Sequence, residues 1–165
     1  MMTILTTGGT FDKIYFDAKS QFHIGESQVE PILIEGNVTI DYTVESLLRK
    51  DSLEMTDDDR QLLCEHVKAS SAQQIIITHG TDTMSQTAKA LAAHGIDGKT
   101  VVLVGAMQPA RMRVTDAPFN LGFACAAVQL LPSDIYIAMC GQVFQHNNVK
   151  KNLVAGRFET ETKSD

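Results

Sequence analysis

The sequence predicts an α/β fold: a doubly wound, mainly parallel open sheet with helices on both faces, in a single domain. Short apolar runs alternate with stretches of helical periodicity, which is the order of strand–helix–strand units. Residues 75–77 and 101–104 are apolar at every position, which favours strands buried on both faces. A length of 165 residues fits one domain with its own core. The crossovers between parallel strands are expected to be right-handed.

The first third of the chain is predicted to contain two strands, a loop and a helix. The strands are residues 2–6, which end before two glycines, and residues 38–44, in which apolar side chains alternate. Residues 10–27 show no period and are predicted to form a long loop. Residues 28–35 are predicted to form a short helix, because a proline stands in their first turn.

The remaining elements continue the alternation. After a connection at residues 51–55, Thr56 is predicted to cap a helix whose first turn holds three aspartates. Two further helices separate the buried strands from one another and from a last strand at residues 135–139. The apolar faces of these helices are Met84, Ala88 and Leu91, and Leu121, Ala124, Cys125, Val128 and Leu131. The domain is predicted to span residues 1–158, and residues 159–165 to form a polar tail.

The net charge and the cysteine content indicate which binding partners and which cellular compartment to expect. A net charge of −6 gives an acidic surface that repels phosphate backbones, so nucleic acid is not expected as a partner. The sequence has neither a basic amphipathic segment nor a long apolar run, so we expect no membrane partner and no signal peptide. Three scattered cysteines predict no disulfide framework and favour the cytoplasm.

Four segments rich in glycine or polar groups follow predicted strands. In a doubly wound sheet, ligands bind beyond the carboxyl ends of the strands. The fold is therefore expected to bring Thr10 and Thr81 to one crevice. Glycine lets a ligand approach the backbone closely, and backbone N–H groups can face a developing negative charge. The four candidate segments are residues 7–10, 78–83, 105–109 and 140–142.

A hydroxyl is a weak nucleophile unless a base lies beside it. A desolvated lysine can serve as that base, and Lys151, which follows the last predicted strand, is the candidate. Asp82 is a candidate for binding the ammonium group of an amino-acid substrate. Other interpretations stay open: residues 8–10 can be a plain turn, Thr81 and Asp82 can cap a helix, and Lys151 can be solvated.

Two patterns that suggest a cofactor do not fit. Residues 98–100 resemble the end of a phosphate-binding loop, but Ala93 occupies the position of the required first glycine, and the segment precedes a strand. The five histidines lack the spacing of metal ligands, and His79 is predicted to form hydrogen bonds at a strand end. We therefore expect no metal and no cofactor.

Several segments resemble the bacterial-type L-asparaginase family, in the family's order. Two of them, Thr-Thr-Gly-Gly-Thr and His-Gly-Thr-Asp-Thr-Met, look like its signature motifs. The resemblance spans residues 2–158 and implies an asparaginase N-terminal-type catalytic domain that hydrolyses L-asparagine to L-aspartate and ammonia. It also implies a homodimer or homotetramer. The matching segments are residues 6–10, 51–55, 79–84, 104–109, 116–121 and 148–152.

The resemblance also implies roles for single residues. Thr10 corresponds to the threonine that attacks the amide carbon, after which ammonia leaves and water hydrolyses the acyl-enzyme. Ser52 corresponds to the serine that binds the substrate carboxylate. The implied catalytic residues are Thr10, Thr81, Asp82 and Lys151. The implied substrate-binding residues are Gly9, Ser52, Gly80 and Asp82.

The chain departs from the family pattern at three points. Phe22 stands where the family has a mobile-loop tyrosine, and Tyr15 is the candidate replacement. Leu53 replaces a glutamine that contacts substrate, and the family's smaller C-terminal domain is not included in the chain. Losing one hydrogen bond to a charged group costs about 1.5–3 kcal/mol, so we expect modest affinity. The choice between asparagine and glutamine stays open, with little glutaminase activity expected.

Two alternatives to an active amidohydrolase remain. The departures favour a catalytically weak or inactive amino-acid-binding or regulatory module of the same fold. An amidotransferase-like subunit, which releases ammonia for a partner enzyme, is the other. Ammonia release by the isolated chain separates the first alternative from an enzyme, and co-purification of a large partner would support the second.

Overall fold

The computed structural model describes residues 1–96 and 98–161 and centres on a six-stranded sheet. Five neighbouring strands are parallel, and the sixth pairs antiparallel at one edge. The prediction of a mainly parallel open sheet is therefore confirmed. In spatial order the strands are β4 (Tyr42–Lys50), β1 (Met2–Gly8), β5 (Gln74–Thr78), β6 (Thr100–Val104), β7 (Ile135–Met139) and β8 (Gln142–Gln145).

Helices cover both faces of this sheet. They are α1 (Val29–Glu35), α2 (Asp57–Ala69), α3 (Met84–His94) and α4 (Ala117–Leu130). Helices α2 and α3 pack against each other on one face, while α1 and α4 together line a groove on the other. Every residue of β6 and β7 is buried, as expected for strands covered on both sides. Thr56 caps α2 through a capping box with Asp59, which confirms the predicted helix start.

The crossover through α4 differs in hand from the crossover through α3. The chain moves in the same direction across the sheet from β5 to β6 through α3 and from β6 to β7 through α4. Helices α3 and α4 both pack against β7 but not against each other, so they lie on opposite faces of the sheet, and these two crossovers have opposite hands. The expectation that every crossover is right-handed is therefore wrong.

The predicted loop at residues 10–27 is a folded hairpin instead. A 3-10 turn at Thr10–Asp12 leads into β2 (Lys13–Phe16), which pairs antiparallel with β3 (Gln21–Ile24). Tyr15 and Phe22 are opposite each other in the pairing, with ring centroids 5.5 Å apart. The strands escaped prediction because most of their side chains are exposed and give no burial period.

The predicted strand at residues 38–44 begins too early. Val38 and Ile40 pack against the core as part of the connection, and pairing with β1 runs from Met2 opposite Tyr42 to Gly8 opposite Lys50. The second half of β4 carries charged side chains, which an edge strand with an exposed face tolerates. The apolar alternation that motivated the prediction therefore spans the approach to the strand and its first residues, Tyr42 to Val44.

The chain ends in a second hairpin, which the sequence did not predict. It consists of β9 (Lys150–Asn152) and β10 (Arg157–Glu159), a two-stranded sheet separate from the main one. Glu159, which the sequence places in the polar tail, is the last residue of β10, and residues 162–165 of that tail lie outside the described residues. No helix of the described part is long and apolar enough to span a membrane.

Candidate active site

The carboxyl ends of β1 and β5 meet at the switch point of the sheet. From β1 the chain winds to β4 on one side, and from β5 it winds to β6 on the other, which opens a crevice between them. Thr10 follows β1, and Thr81 follows β5. The two turns touch: a Cβ on Gly9, whose φ is 79°, would lie 2.4 Å from the backbone nitrogen of Gly80. The fold thus brings both threonine-bearing turns together.

Lys151 lies at this crevice because β9 carries it there. Its Nζ donates hydrogen bonds to Thr81 Oγ1 at 2.7 Å and to Asp82 Oδ1 at 2.6 Å. Thr81 is buried, and the side chain of Lys151 is only 18% exposed. An amine in its neutral form at this position could take the hydroxyl proton of Thr81. The adjacent residues Thr81 and Asp82 therefore form one hydroxyl–amine–carboxylate group with Lys151, which is distant in sequence.

Ser52 supplies an unpartnered hydroxyl beside this group. The residue is 1% exposed, and its Oγ is without a hydrogen-bond partner in the described residues. A Cβ on Gly80 would lie 2.5 Å from that Oγ, so the hydroxyl faces the turn that carries Thr81. Thr83 Oγ1 donates to the Ser52 carbonyl at 2.8 Å and ties the two turns together. A buried hydroxyl left unpaired is costly, which favours a ligand as its partner.

His79 fixes the turn that follows β5. Its ring is fully buried, with Nδ1 2.7 Å from the Gly80 carbonyl and Nε2 2.8 Å from Thr87 Oγ1. Since a carbonyl only accepts, Nδ1 donates, and Nε2 accepts from the hydroxyl of Thr87 on α3. Desolvation by burial lowers the pKa of His79 to about 4, so the ring is neutral at neutral pH. His79 therefore forms the hydrogen bonds predicted at this strand end.

The segment after β6 crosses the crevice from one threonine turn to the other. At its start, a Cβ on Gly105 would lie 2.5 Å from the His79 carbonyl and 3.2 Å from Thr81 Cγ2. Further along, the Ala110 N–H donates to the Phe11 carbonyl at 3.1 Å. The reversed crossover thus places this segment, residues 105–116, as a wall of the crevice.

Asp116 and Asn120 hold that wall in place. Asp116 accepts hydrogen bonds from the N–H groups of Met107, at 2.9 Å, and Gln108, at 3.0 Å. Asn120 Nδ2 donates to the Gly105 carbonyl at 3.0 Å and to Asp116 at 2.8 Å. Sequence reasoning assigned no role to these two residues beyond the resemblance. The sequence pattern that could have revealed them is the Asp-x-Pro at the start of α4, but this pattern also occurs at ordinary helix N-termini.

Asp12 is a buried carboxyl that the sequence did not single out. It lies two residues after Thr10, is 2% exposed and accepts a hydrogen bond from the Gln28 N–H at 2.9 Å. Burial raises the pKa of Asp12 to about 6, although Gln28 and Ser27 oppose the shift. The assumption that residues 10–27 form an open loop hid this residue.

Tyr15, the candidate loop residue, lies on β2 of the first hairpin. Tyr15 and Phe22 are 54% and 48% exposed on the β2–β3 hairpin. Within the described residues, the Tyr15 hydroxyl makes no hydrogen bond to Thr10, Thr81 or Lys151. Tyr15 therefore stays a prediction that depends on movement of the hairpin.

The fourth candidate segment serves a different purpose. Cys140 and Gly141, with φ of 56° and 70°, form the tight turn that joins β7 to β8, and a Cβ on Gly141 would touch the ring of Phe119. Positive φ at both central positions is typical of a type I′ hairpin turn. In the described part of the chain, no group of three or more histidines, cysteines or carboxylates is placed to hold a metal ion.

The fold and this site together define an α/β protein with a hydrogen-bonded threonine, lysine and aspartate at the switch point of its sheet. Such a set suits covalent hydrolysis by a hydroxyl nucleophile. The family model described as "Asparaginase, N-terminal" matches residues 1–159. The chain belongs to the asparaginase family.

Individual relatives agree with this assignment. The chain is 32% identical over 169 residues to the probable periplasmic L-asparaginase of Haemophilus influenzae, covering 91% of this chain and 46% of the relative. It is 34% identical over 126 residues to L-asparaginase 2 of Escherichia coli, covering 73% and 36%. The structure of the probable cytoplasmic L-asparaginase from Campylobacter jejuni matches with a TM-score of 0.81 and 28% identity, covering 96% and 52%. The chain spans about half or less of the length of these proteins.

Proposed function

We propose that this protein hydrolyses the side-chain amide of L-asparagine to give L-aspartate and ammonia. The observation that carries the proposal is the pair of hydrogen bonds from Lys151 Nζ to Thr81 at 2.7 Å and to Asp82 at 2.6 Å. The family assignment and the L-asparaginases among the similar proteins support the choice of substrate. The buried, unpartnered hydroxyl of Ser52 is suited to a substrate carboxylate oxygen.

In the proposed mechanism the Thr10 hydroxyl attacks the amide carbon. The hydroxyl proton of Thr10 passes to the amide nitrogen as the C–N bond breaks, ammonia leaves, and an aspartyl ester on Thr10 remains. Neutral Lys151 takes the hydroxyl proton of Thr81, and the Thr81 oxygen takes a proton from the water that attacks this ester. The ester C–O bond then breaks, aspartate leaves, and the proton held by Lys151 returns to the Thr10 oxygen. Asp82 accepts a hydrogen bond from the ammonium form of Lys151 and binds the amino group of the substrate. Backbone N–H groups of the two touching turns face the oxyanion, at about 3 kcal/mol for each donor.

The direct test is ammonia release from asparagine by the purified chain. Thr10→Ala is expected to abolish it while the far-UV circular dichroism spectrum stays unchanged. Thr81→Ala is expected to slow hydrolysis of the ester, so that mass spectrometry detects the aspartyl adduct on Thr10. Thr39→Ala, at an exposed position near the other end of the sheet, serves as the matched control and retains activity. Full activity in Thr10→Ala would show that another residue is the nucleophile.

The two adjacent lysines of β9 provide a second matched pair. Lys151→Met removes the amine from Thr81, and we expect activity to fall by at least about 10²-fold, the lower end for a general base. Lys150→Met removes an exposed neighbour and should leave activity nearly unchanged. Equal effects of the two substitutions would contradict a role for Lys151 in proton transfer.

The second candidate function is that of an amino-acid-binding module with the same fold and no turnover of substrate. Leu53, next to Ser52, is 73% exposed and offers the substrate no polar contact, and this departure from the family pattern motivates a catalytically weak or inactive module. Calorimetry that detects aspartate binding, together with no ammonia release from asparagine, would establish this amino-acid-binding module in place of the enzyme.

We also propose that the protein associates with copies of itself. Helix α4 carries no charged residue, although the chain has a net charge of −6. It presents Phe119, 64% exposed, and Leu130, 83% exposed, to solvent. An uncharged apolar face suits a self-complementary contact between acidic copies. Light scattering should report a dimer or tetramer, and Phe119→Glu with Leu130→Glu should shift it to a monomer.

A further inference from the structure

A partly buried ion pair joins the turn that carries Ser52 to the hairpin that follows Thr10. Lys13 Nζ lies 2.6 Å from Asp51 Oδ2, and the two side chains are 27% and 26% exposed. Lys13 is the first residue of β2, directly after the Thr10–Asp12 turn. Asp51 directly precedes Ser52. The pair therefore spans the two segments from which the proposed nucleophile and the proposed carboxylate-binding residue come.

The two carboxylate oxygens of Asp51 each contact a different one of these segments. Its Oδ1 accepts a hydrogen bond from the Leu53 N–H at 3.1 Å and so caps the turn that holds Ser52. Its Oδ2 is the oxygen bound by Lys13. Burial opposes ionisation of Asp51, but the hydrogen bonds from Lys13 and Leu53 outweigh it and hold the pKa of Asp51 below its ordinary value. Asp51 is thus a charged cap, and Lys13 neutralises it.

Ser52 has no polar side-chain contact of its own to hold it. Its Oγ is buried and unpartnered in the described residues, so its position depends on what fixes its backbone. Thr83 binds the Ser52 carbonyl from the side of β5. The Asp51–Lys13 pair, with the bond from the Gly9 N–H to the Lys50 carbonyl at 2.9 Å, fixes the turn from the side of β1.

We propose that Lys13 and Asp51 are positioning residues that set the Ser52 hydroxyl for the carboxylate of the substrate. The identity of the substrate in this inference rests on the proposed function, whereas the geometry of the Lys13–Asp51 pair does not. The pair acts through Ser52 and does not touch the reacting amide. Loss of either charge is expected to raise KM for asparagine about tenfold, equivalent to about 1.4 kcal/mol, and to leave kcat within about twofold.

The test compares Lys13→Met, Asp51→Asn and the double variant in the full chain. Both single variants should raise KM, and the double variant should raise it no further, because one interaction is removed in all three. Lys13→Arg should restore most of the affinity. Lys19→Met, which removes another lysine from the same hairpin, should leave KM unchanged. Added salt should raise KM of the unsubstituted protein more than that of Lys13→Met.

Two results would overturn the proposal. If Lys13 bound the substrate directly, Asp51→Asn would free it, and KM would stay constant or fall. If the pair only stabilised the fold, kcat and the melting temperature would change while KM did not.

Hydrogen exchange separates failure of this inference from failure of the proposed function. The Leu53 amide should lose protection in Lys13→Met but not in Lys19→Met, whether or not ammonia is released. Unchanged protection at Leu53 would refute the positioning role. Absence of ammonia release with the expected loss of protection would refute only the proposed function.

Discussion

The neutral, buried ring of His79 predicts a specific loss of stability in mild acid. Its pKa is lowered from 6.5 to about 4 by desolvation. Between these two values the unfolded chain binds a proton at this residue and the native state does not. Unfolding therefore takes up a proton, and the free energy of unfolding falls as the pH falls through this window. A shift of this size corresponds to about 3 kcal/mol.

The assay is urea unfolding at pH 7, 6, 5 and 4 for the unsubstituted protein and for His79→Asn. The variant keeps a donor near the Gly80 carbonyl but cannot be protonated, so it should lack this part of the pH dependence. The difference in free energy of unfolding between the two proteins at each pH is free of the contributions of the other titrating groups. This difference should narrow by about 3 kcal/mol from pH 7 to pH 4. His23→Asn, on exposed β3, is the control for the effect of a histidine-to-asparagine change itself.

Parallel pH profiles for His79→Asn and the unsubstituted protein would refute this reasoning. Should the variant fail to fold, NMR titration of the His79 ring in the unsubstituted protein gives the same answer. The ring should stay neutral down to about pH 5. A titration midpoint near 6.5 would show that burial does not control its charge.

Three further predictions concern single contacts. Because the pKa of Asp12 is raised, the native state holds a proton between pH 3.8 and about 6 that the unfolded chain releases. The free energy of unfolding of Asp12→Asn should therefore rise relative to that of the unsubstituted protein, by up to about 3 kcal/mol from pH 4 to 7, as measured by urea unfolding. Gly80→Ala places a Cβ 2.5 Å from Ser52 Oγ and should weaken aspartate binding at least about tenfold by calorimetry, whereas Gly122→Ala, with open space around it, should not. Thr56→Ala removes the capping box of α2 and should cost about 1 kcal/mol in thermal unfolding; no change would mean that the cap is satisfied by water.

The parts of the fold that the sequence predicted are those in which burial follows a simple pattern. The apolar runs that became β5 and β6 are buried on both faces, and Thr56 with its aspartates begins α2 as its chemistry dictates. The β2–β3 hairpin was missed because exposed Tyr15 and Phe22 stabilise it by contact with each other. The hand of the α4 crossover was missed because an apolar pattern does not show which face of the sheet a helix covers.

The candidate site divides in the same way. The meeting of the Thr10 and Thr81 turns follows from the topology rule for open sheets, which requires only the order of the strands. The position of Lys151 does not follow from that rule. Its place after the last predicted strand made it one candidate base, and the family resemblance strengthened that choice. The Lys13–Asp51 pair had no signal at all, since it requires the hairpin to be folded.

Lys151 lies on the β9–β10 hairpin, which is separate from the main sheet, so its amine is the member of the proposed catalytic group that the main sheet fixes least. The hairpin is anchored by Phe158, which is buried near Phe144 of β8, while Val154 at its turn is fully exposed. A protease that cuts this turn would leave the six-stranded sheet intact and free Lys151 from its strand partner. Brief digestion is therefore expected to abolish the proposed release of ammonia long before the circular dichroism spectrum changes.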